Sequence, residues 1–217
     1  MNKTAIVIGA TGLIGSSLLD QLLEDETYSK IKIFHRRSTG VSHPKISEEV
    51  VDFDRIDEWE KQIDGDVLFS AMGTTIKKAG SKKAQYKIDF TYQYEVAKAA
   101  ANNLVESYVL VSSSGANAKS KIFYSKIKGE LDDAVMELPF KKIIIMRPSI
   151  LAGNRKENRT GEKIGLALAR GLTKIPGLKK YKPIKGETVA KAMIKSIQNT
   201  AEYKTAIYTL DEIFKLV

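Results

Sequence analysis

An apolar run, Thr4-Ala5-Ile6-Val7-Ile8, ends in a glycine turn, Gly9-Ala10-Thr11-Gly12-Leu13-Ile14-Gly15, and leucines then recur at helical spacing as far as Glu24. Strand, glycine turn and helix in that order form the context in which a dinucleotide's pyrophosphate is held. The glycines have different tasks. Gly9 permits the tight turn off the strand, Gly12 lets the backbone approach an anion, and Gly15 lets helix and strand pack closely. Free N–H groups around Thr11, Leu13 and Ile14, with the positive end of the helix dipole, then hold the phosphates.

The rest of the chain repeats the alternation. Ile31–Phe34 reads as a second strand, Glu49–Phe53 as a third, Asp66–Ala71 as a fourth, Tyr108–Val111 as a fifth and Lys142–Met146 as a sixth. Helical patterns fall between them at Asp54–Ile63, Lys83–Asn102 and Tyr124–Glu137. Apolar strands alternating with helices predict an α/β fold: a doubly wound parallel sheet of six to seven strands, helices on both faces. Past Arg147-Pro148 come a polar loop (Gly153–Gly161), a helix around Ile164–Leu172, a break at Pro176-Gly177, a helix over Glu187–Asn199 and a short strand near Ala206–Thr209. With no linker and no repeat, the 217 residues read as one domain, residues 150–185 forming a small elaboration on the substrate side.

Composition removes several function classes. The chain has no cysteine and only two histidines, His35 and His43, so neither thiolate chemistry nor a multi-histidine metal centre is expected. No secretory signal pattern and no membrane-length apolar run appear, and a cytoplasmic location without membrane association is the default expectation. The net charge of +9 invites nucleic acid as a partner. The lysines, however, come in scattered pairs (Lys77-Lys78, Lys82-Lys83, Lys141-Lys142, Lys179-Lys180) without a basic tract or an aromatic–basic module. A solvated basic surface suited to an anionic ligand is the better reading.

The strand ends supply further cofactor contacts. Strand two closes in His35-Arg36-Arg37, about 20 residues past the last glycine, where an acid would take the ribose 2′-hydroxyl of NAD. Two arginines stand there instead, and arginine suits a 2′-phosphate, so NADP is expected ahead of NAD. Asp52-Phe53 would grip the adenine edge, and Ala71-Met72-Gly73-Thr74 would turn beside the cofactor.

The catalytic candidate is Tyr124-Ser125-Lys126-Ile127-Lys128. On a helix, positions i and i+4 share a face, so Tyr124 and Lys128 address one site. A phenol with a reference pKa of about 10 is a poor base at neutral pH, and a nearby ammonium favours its ionised form. Such a tyrosine exchanges a proton with a substrate oxygen while hydride moves to or from nicotinamide. The chain carries this spacing four times. Tyr28/Lys32 straddles the start of strand two, Tyr181/Lys185 contains helix-breaking Pro183, and Tyr94/Lys98 has no serine cluster ahead of it. Tyr124/Lys128 alone follows a strand ending in Ser112-Ser113-Ser114-Gly115, whose hydroxyls could orient a reacting oxygen.

Together these residues resemble the short-chain dehydrogenase/reductase superfamily, in its atypical or extended branch, a Rossmann-type fold. Four stretches look like the NAD(P)H-binding branch typified by the Tat-interacting protein: Ala71–Ser81, Ser112–Gly115, Phe123–Glu130 and Met146–Ile150. The resemblance implies a catalytic set of Ser113 (Ser114 the close alternative), Tyr124 as acid/base, and Lys128 binding the nicotinamide ribose while lowering the tyrosine pKa. It implies that Pro148, Ser149 and Ile150 bring backbone groups to the carboxamide, and that Asp89 is a structural polar residue. A C-terminal part shorter than in sugar-nucleotide epimerases argues against a large substrate. A small carbonyl or alcohol is expected, and a homodimer through the helices at 83–102 and 124–137. The alternative the resemblance leaves open is a non-catalytic NADP(H) sensor acting through a protein partner.

Overall fold

The computed structural model describes residues 2–152, 179–198 and 204–217. Seven strands form one parallel sheet: β1 (Lys3–Ile8), β2 (Tyr28–His35), β3 (Ile46–Val50), β4 (Val67–Ser70), β5 (Ser107–Val111), β6 (Lys142–Arg147) and β9 (Thr205–Thr209). Their order is β3-β2-β1-β4-β5-β6-β9. The chain therefore works outward from β1 in one direction, then returns to β4 and works outward in the other. The crevice between the carboxyl ends of β1 and β4 is the topological switch point, where such sheets bind ligands.

Both sheet faces are covered, which is why the inner strands are apolar at successive positions. Ala5 and Val7 point to the side covered by α1 (Leu13–Glu24) and α6 (Gly186–Gln198), through Leu18, Leu22, Val189 and Met193. Ile6 and Ile8 point to the side covered by α4 (Tyr92–Asn102) and α5 (Phe123–Met136), through Val96, Ala100, Leu131 and Val135. Doubly wound packing is the expected architecture, and it is what forms.

Several local expectations change. The second strand starts three residues early, at Tyr28, and β3 runs over Ile46–Val50 rather than Glu49–Phe53. As an edge strand β3 is half-covered along most of its length, so its apolar signal is weak and Val50-Val51 draws the expectation too far along. The expected helix Asp54–Ile63 is two 3-10 turns, Phe53–Glu58 and Glu60–Gln62, broken at Arg55, whose φ of −127° and ψ of 51° are not helical. The expected helix Lys83–Asn102 is α3 (Lys82–Tyr86), one π-turn (Lys87–Thr91) and α4, preceded by a single-turn α2 (Ile76–Ala79). A two-stranded parallel pair, β7 (Leu151–Ala152) with β8 (Ile184–Lys185), has no counterpart in the sequence pattern. The polar loop at 153–161, the helix around 164–172 and the break at 176–177 lie outside the described residues.

Candidate active site

The glycine turn packs directly against the loop after β4. Gly9 has φ of +82°, and a Cβ there would lie 2.5 Å from the backbone carbon of Ala71 and the nitrogen of Met72. At Gly15 a Cβ would fall 2.0 Å from the Gly9 carbonyl oxygen. Only glycine fits either position. The Ala71 N–H donates to the Ile8 carbonyl at 3.0 Å, so the two strand ends open side by side. Gly12 caps α1 with no side-chain hydrogen bond, and no carboxylate occupies the first turn. The N–H groups at this helix start are therefore uncontested by any anionic side chain, and the turn fits a pyrophosphate. Thr11 is exposed, Gly12 and Leu13 are half-buried, and Ile14 is buried beneath them.

Towards β3 lie the adenosine candidates. Arg36 and Arg37 are exposed at the end of β2 and form no ion pair among the described residues. Beyond them Glu48 gathers the loop: it accepts from Ser38 Oγ at 2.6 Å and Thr39 N at 2.8 Å, bonds Thr39 Oγ1, and stands 3.1 Å from His35 Nε2. The hydroxyls of Ser38 and Thr39 hold the Glu48 carboxyl down at about 2. Burial lowers the pKa of His35, with Glu48 opposing. Asp52 accepts from Asp54 N at 2.9 Å and is exposed, while the Phe53 ring is buried against Trp59 and Tyr92, at centroid distances of 5.3 and 5.4 Å.

The ends of β4, β5 and β6 are built from buried polar groups. Asp89, at 0% exposure, projects from the π-turn. It accepts from Thr74 N at 2.8 Å and Gln85 Nε2 at 2.9 Å. Gln93 donates to the Asp89 carbonyl at 3.0 Å and accepts from Ser70 Oγ at 2.8 Å, so the wide turn is bonded back to β4. The π-turn is what aims Asp89 at the Ala71–Thr74 loop, and π-turns recur at functional sites. Burial raises the Asp89 pKa, opposed by the nearby Lys128 charge.

Tyr124 and Lys128 lie one turn apart on α5 and differ sharply in setting: Tyr124 is 41% exposed, Lys128 only 2%. Lys128 Nζ donates to the Val111 carbonyl at 3.4 Å, at the end of β5. Next come the serines. Ser112 is buried and donates to Asp132 Oδ2 at 2.9 Å; Ser113 is half-buried and only weakly engaged, accepting from Gly115 N at 3.5 Å; Ser114 is exposed. Ser112 is thus committed to the interior, and Ser113 and Ser114 are the less buried hydroxyls of the cluster. Pro148, Ser149 and Ile150 are tied by backbone bonds, Ser114 N to the Pro148 carbonyl (3.1 Å) and Ile184 N to the Ile150 carbonyl (3.0 Å), while Ser149 Oγ donates to the Lys182 carbonyl at 2.5 Å.

The other three Tyr-x-x-x-Lys copies are placed elsewhere. Tyr28 is buried against Phe69, and Lys32 pairs with Asp64. Tyr94 stacks on Phe90 at 5.8 Å, with Lys98 exposed. Tyr181 closes a 3-10 turn and Lys185 ends β8. Sequence reasoning missed the supporting groups Gln85, Gln93, Asp132 and Arg147, and it counted Ser112 among the candidate orienting hydroxyls, whereas Ser112 bonds Asp132. One signal was available: Asp132 sits between Leu131 and Val135, on the apolar side of its helix.

Comparison with known proteins identifies the family and the fold. Residues 9–200 match the sequence model of a family described as NAD(P)H-binding. Protein FMP52, mitochondrial, of Meyerozyma guilliermondii is 40% identical over 88% of this chain and 83% of its own. The protein of the same name from Candida glabrata is 34% identical over 99% of this chain and 96% of its own. Among solved structures, Bordetella bronchiseptica WbmH in complex with NAD+ superposes with a TM-score of 0.71 at 15% identity, over 96% of this chain and 76% of that one. UDP-glucose 4-epimerase of Thermotoga maritima gives 0.68 at 13% identity, over 98% and 80%. The expected NAD(P)H-binding family and Rossmann-type fold hold. The cytoplasmic expectation does not: relatives spanning most of the chain are named mitochondrial. It rested on lacking a secretory signal and a membrane-length run, and neither bears on import into mitochondria.

Proposed function

The chain belongs to the NAD(P)H-binding family, and from that premise we propose that it is an NADP-dependent oxidoreductase acting on a small carbonyl or alcohol, in mitochondria like its named relatives. The observation that carries the reading is the contrast within one helical face: a buried lysine one turn from an exposed tyrosine, beside the carboxyl end of β5. A surface pair would expose both side chains. A core pair would bury both.

Bound in the crevice, the nicotinamide supplies or accepts the hydride. Tyr124, open to solvent on α5, donates the proton to a nascent alkoxide or takes it from an alcohol. Lys128 stays beneath, holding the ribose hydroxyls. Ser113 supplies a hydroxyl that orients the reacting oxygen. The exposed Arg36 and Arg37, which form no ion pair among the described residues, support NADP over NAD, since a 2′-phosphate would give them a partner.

Tyr124→Phe tests this directly. Removing the proton donor should lower kcat on a carbonyl substrate by about 10²–10⁴-fold, leaving the NADPH dissociation constant within about twofold of wild type. Undiminished turnover by that variant would reject Tyr124 as the acid/base. Tight NADPH binding with no turnover of any carbonyl by the wild type would favour the sensor reading instead.

A further inference from the structure

Beneath the crevice lies a buried carboxylate that the proposed chemistry does not use. Asp132 is one turn beyond Lys128, on the same face of α5, at 0% exposure. Its Oδ2 accepts two bonds at 2.9 Å, one from Ser112 Oγ just past β5 and one from Arg147 Nε at the end of β6. Its Oδ1 is equally buried and meets no donor among the described residues.

That is an expensive way to fasten a helix. A neutral amide could accept the same two bonds without burying a charge, and an unmatched buried carboxylate oxygen is costly. Two cations give the charge a use: Arg147, whose guanidinium pairs with Oδ2 at 2.9 Å, and the lysine one turn back on α5. Lys128, 2% exposed, is a cation at the same depth. Its charge opposes the upward pull of burial on Asp89, and on Asp132 it adds to the larger effects of the Ser112 hydrogen bond and of Arg147. Among the described residues, one carbonyl contact, to Val111 at 3.4 Å, is the ammonium's hydrogen bond.

We propose that Asp132 is a positioning residue for Lys128: it clamps α5 to the ends of β5 and β6 through Ser112 and Arg147, and its charge holds the lysine ammonium where it meets the nicotinamide ribose. The inference rests on the ribose role given to Lys128 above. It assigns the three-residue cluster Ser112–Asp132–Arg147 to the nicotinamide half of cofactor recognition, although none of the three touches the cofactor.

The test separates the two halves of the cofactor. Dissociation constants for NADPH and for its adenosine fragment 2′,5′-ADP are measured on purified full-length protein, with NADH and ADP substituted if the wild type prefers them. Asp132→Asn keeps the size and one acceptor but removes the charge. It should weaken NADPH about tenfold and leave the fragment within about twofold. Ser112→Ala, a milder variant that retains the carboxylate, should show the same selectivity at about two- to fourfold. Melting curves establish that each variant is folded. A merely structural role would weaken both ligands alike or neither, and either result overturns the proposal. Lys128→Met tells its failure from that of the underlying reading. If Lys128→Met leaves NADPH unaffected, the ribose role falls and the clamp with it. If Lys128→Met weakens NADPH while Asp132→Asn does not, the clamp alone is wrong.

Discussion

In the proposed function the two halves of the crevice hold the two ends of a charged cofactor, and they are built with opposite physics. On the side of β2 and β3 the charged groups are exposed: Arg36, Arg37 and Asp52 stand in solvent, and Glu48 bonds short hydroxyl side chains near the surface. On the side of β4, β5 and β6 they are interior: Asp89, Asp132 and Lys128 are buried and tied to strand ends. The carboxyls record the difference. Glu48 is held down at about 2 by its hydrogen bonds, whereas burial pushes both Asp89 and Asp132 up. Exposed charges can be exchanged with little consequence for folding, so the adenosine side is free to set cofactor choice. Buried charges must be satisfied for the chain to fold at all, so the nicotinamide side joins stability to chemistry.

The comparison breaks most readily at Asp89. Asp89→Ala removes the acceptor for Thr74 N and Gln85 Nε2 and leaves Lys128 with one carboxylate fewer. Stranding two buried donors should destabilise the protein by about 2–3 kcal/mol, the relief of carboxylate desolvation offsetting part of the loss. Chemical denaturation should show the midpoint falling at unchanged slope. Cofactor affinity should weaken in the same variant, because the Ala71–Thr74 loop loses its anchor. A variant as stable as wild type would mean that the nicotinamide side is no more built-in than the other.

This division also governs how much of the molecule is legible in its amino-acid sequence. Strands β1, β4, β5 and β6 are legible because burial on both faces leaves uninterrupted apolar runs such as Ile143-Ile144-Ile145. Edge strand β3 is easily misplaced because one-sided cover leaves a mixed sequence, Ile-Ser-Glu-Glu-Val. The glycine turn is legible because its spacing is itself the chemistry, whereas Tyr124/Lys128 is singled out from four copies of one spacing by the serine cluster ahead of it. Gln93 is not legible, since a polar residue on a helix reads as solvent-facing until the strand ends beneath it are known; Asp132 carries a partial signal in its place between Leu131 and Val135. The π-turn is hidden for a related reason. One residue of extra winding at Lys87–Thr91 scarcely disturbs an apolar periodicity, yet it decides where Asp89 points.

On the adenosine side the expected effects fall on binding alone. The double variant Arg36→Ala, Arg37→Ala should weaken NADPH by about ten- to thirtyfold, or roughly 1.4–2 kcal/mol. NADH should change by less than about twofold, and stability by no more than about 0.5 kcal/mol. Titrating both cofactors by nucleotide fluorescence gives the ratio. A wild type that prefers NADH would remove the basis for assigning NADP, and a large loss of stability would show these arginines to be structural after all.

Glu48→Gln should have the smallest effect and the most diagnostic pH dependence. Because the folded pKa of Glu48, about 2, lies below its ordinary value of 4.5, its contribution is fully present above about pH 4.5 and fades as pH falls towards 2. Asp89 and Asp132 act in the opposite sense. Their folded pKa values are raised, so their ionisation opposes folding above the ordinary carboxylate range, and protonation relieves it as pH falls through the folded values. In mild acid the two sides of the crevice therefore pull stability in opposite directions. Near pH 7 the Gln variant should be less stable by about 1 kcal/mol at most, since solvent screens this carboxylate. The deficit should shrink to nothing by about pH 2, leaving a flatter acid limb than the wild type's. Melting temperatures across that range provide the measurement. A deficit independent of pH would mean that Glu48 acts by filling space and accepting hydrogen bonds, and that its charge does not distinguish the two sides.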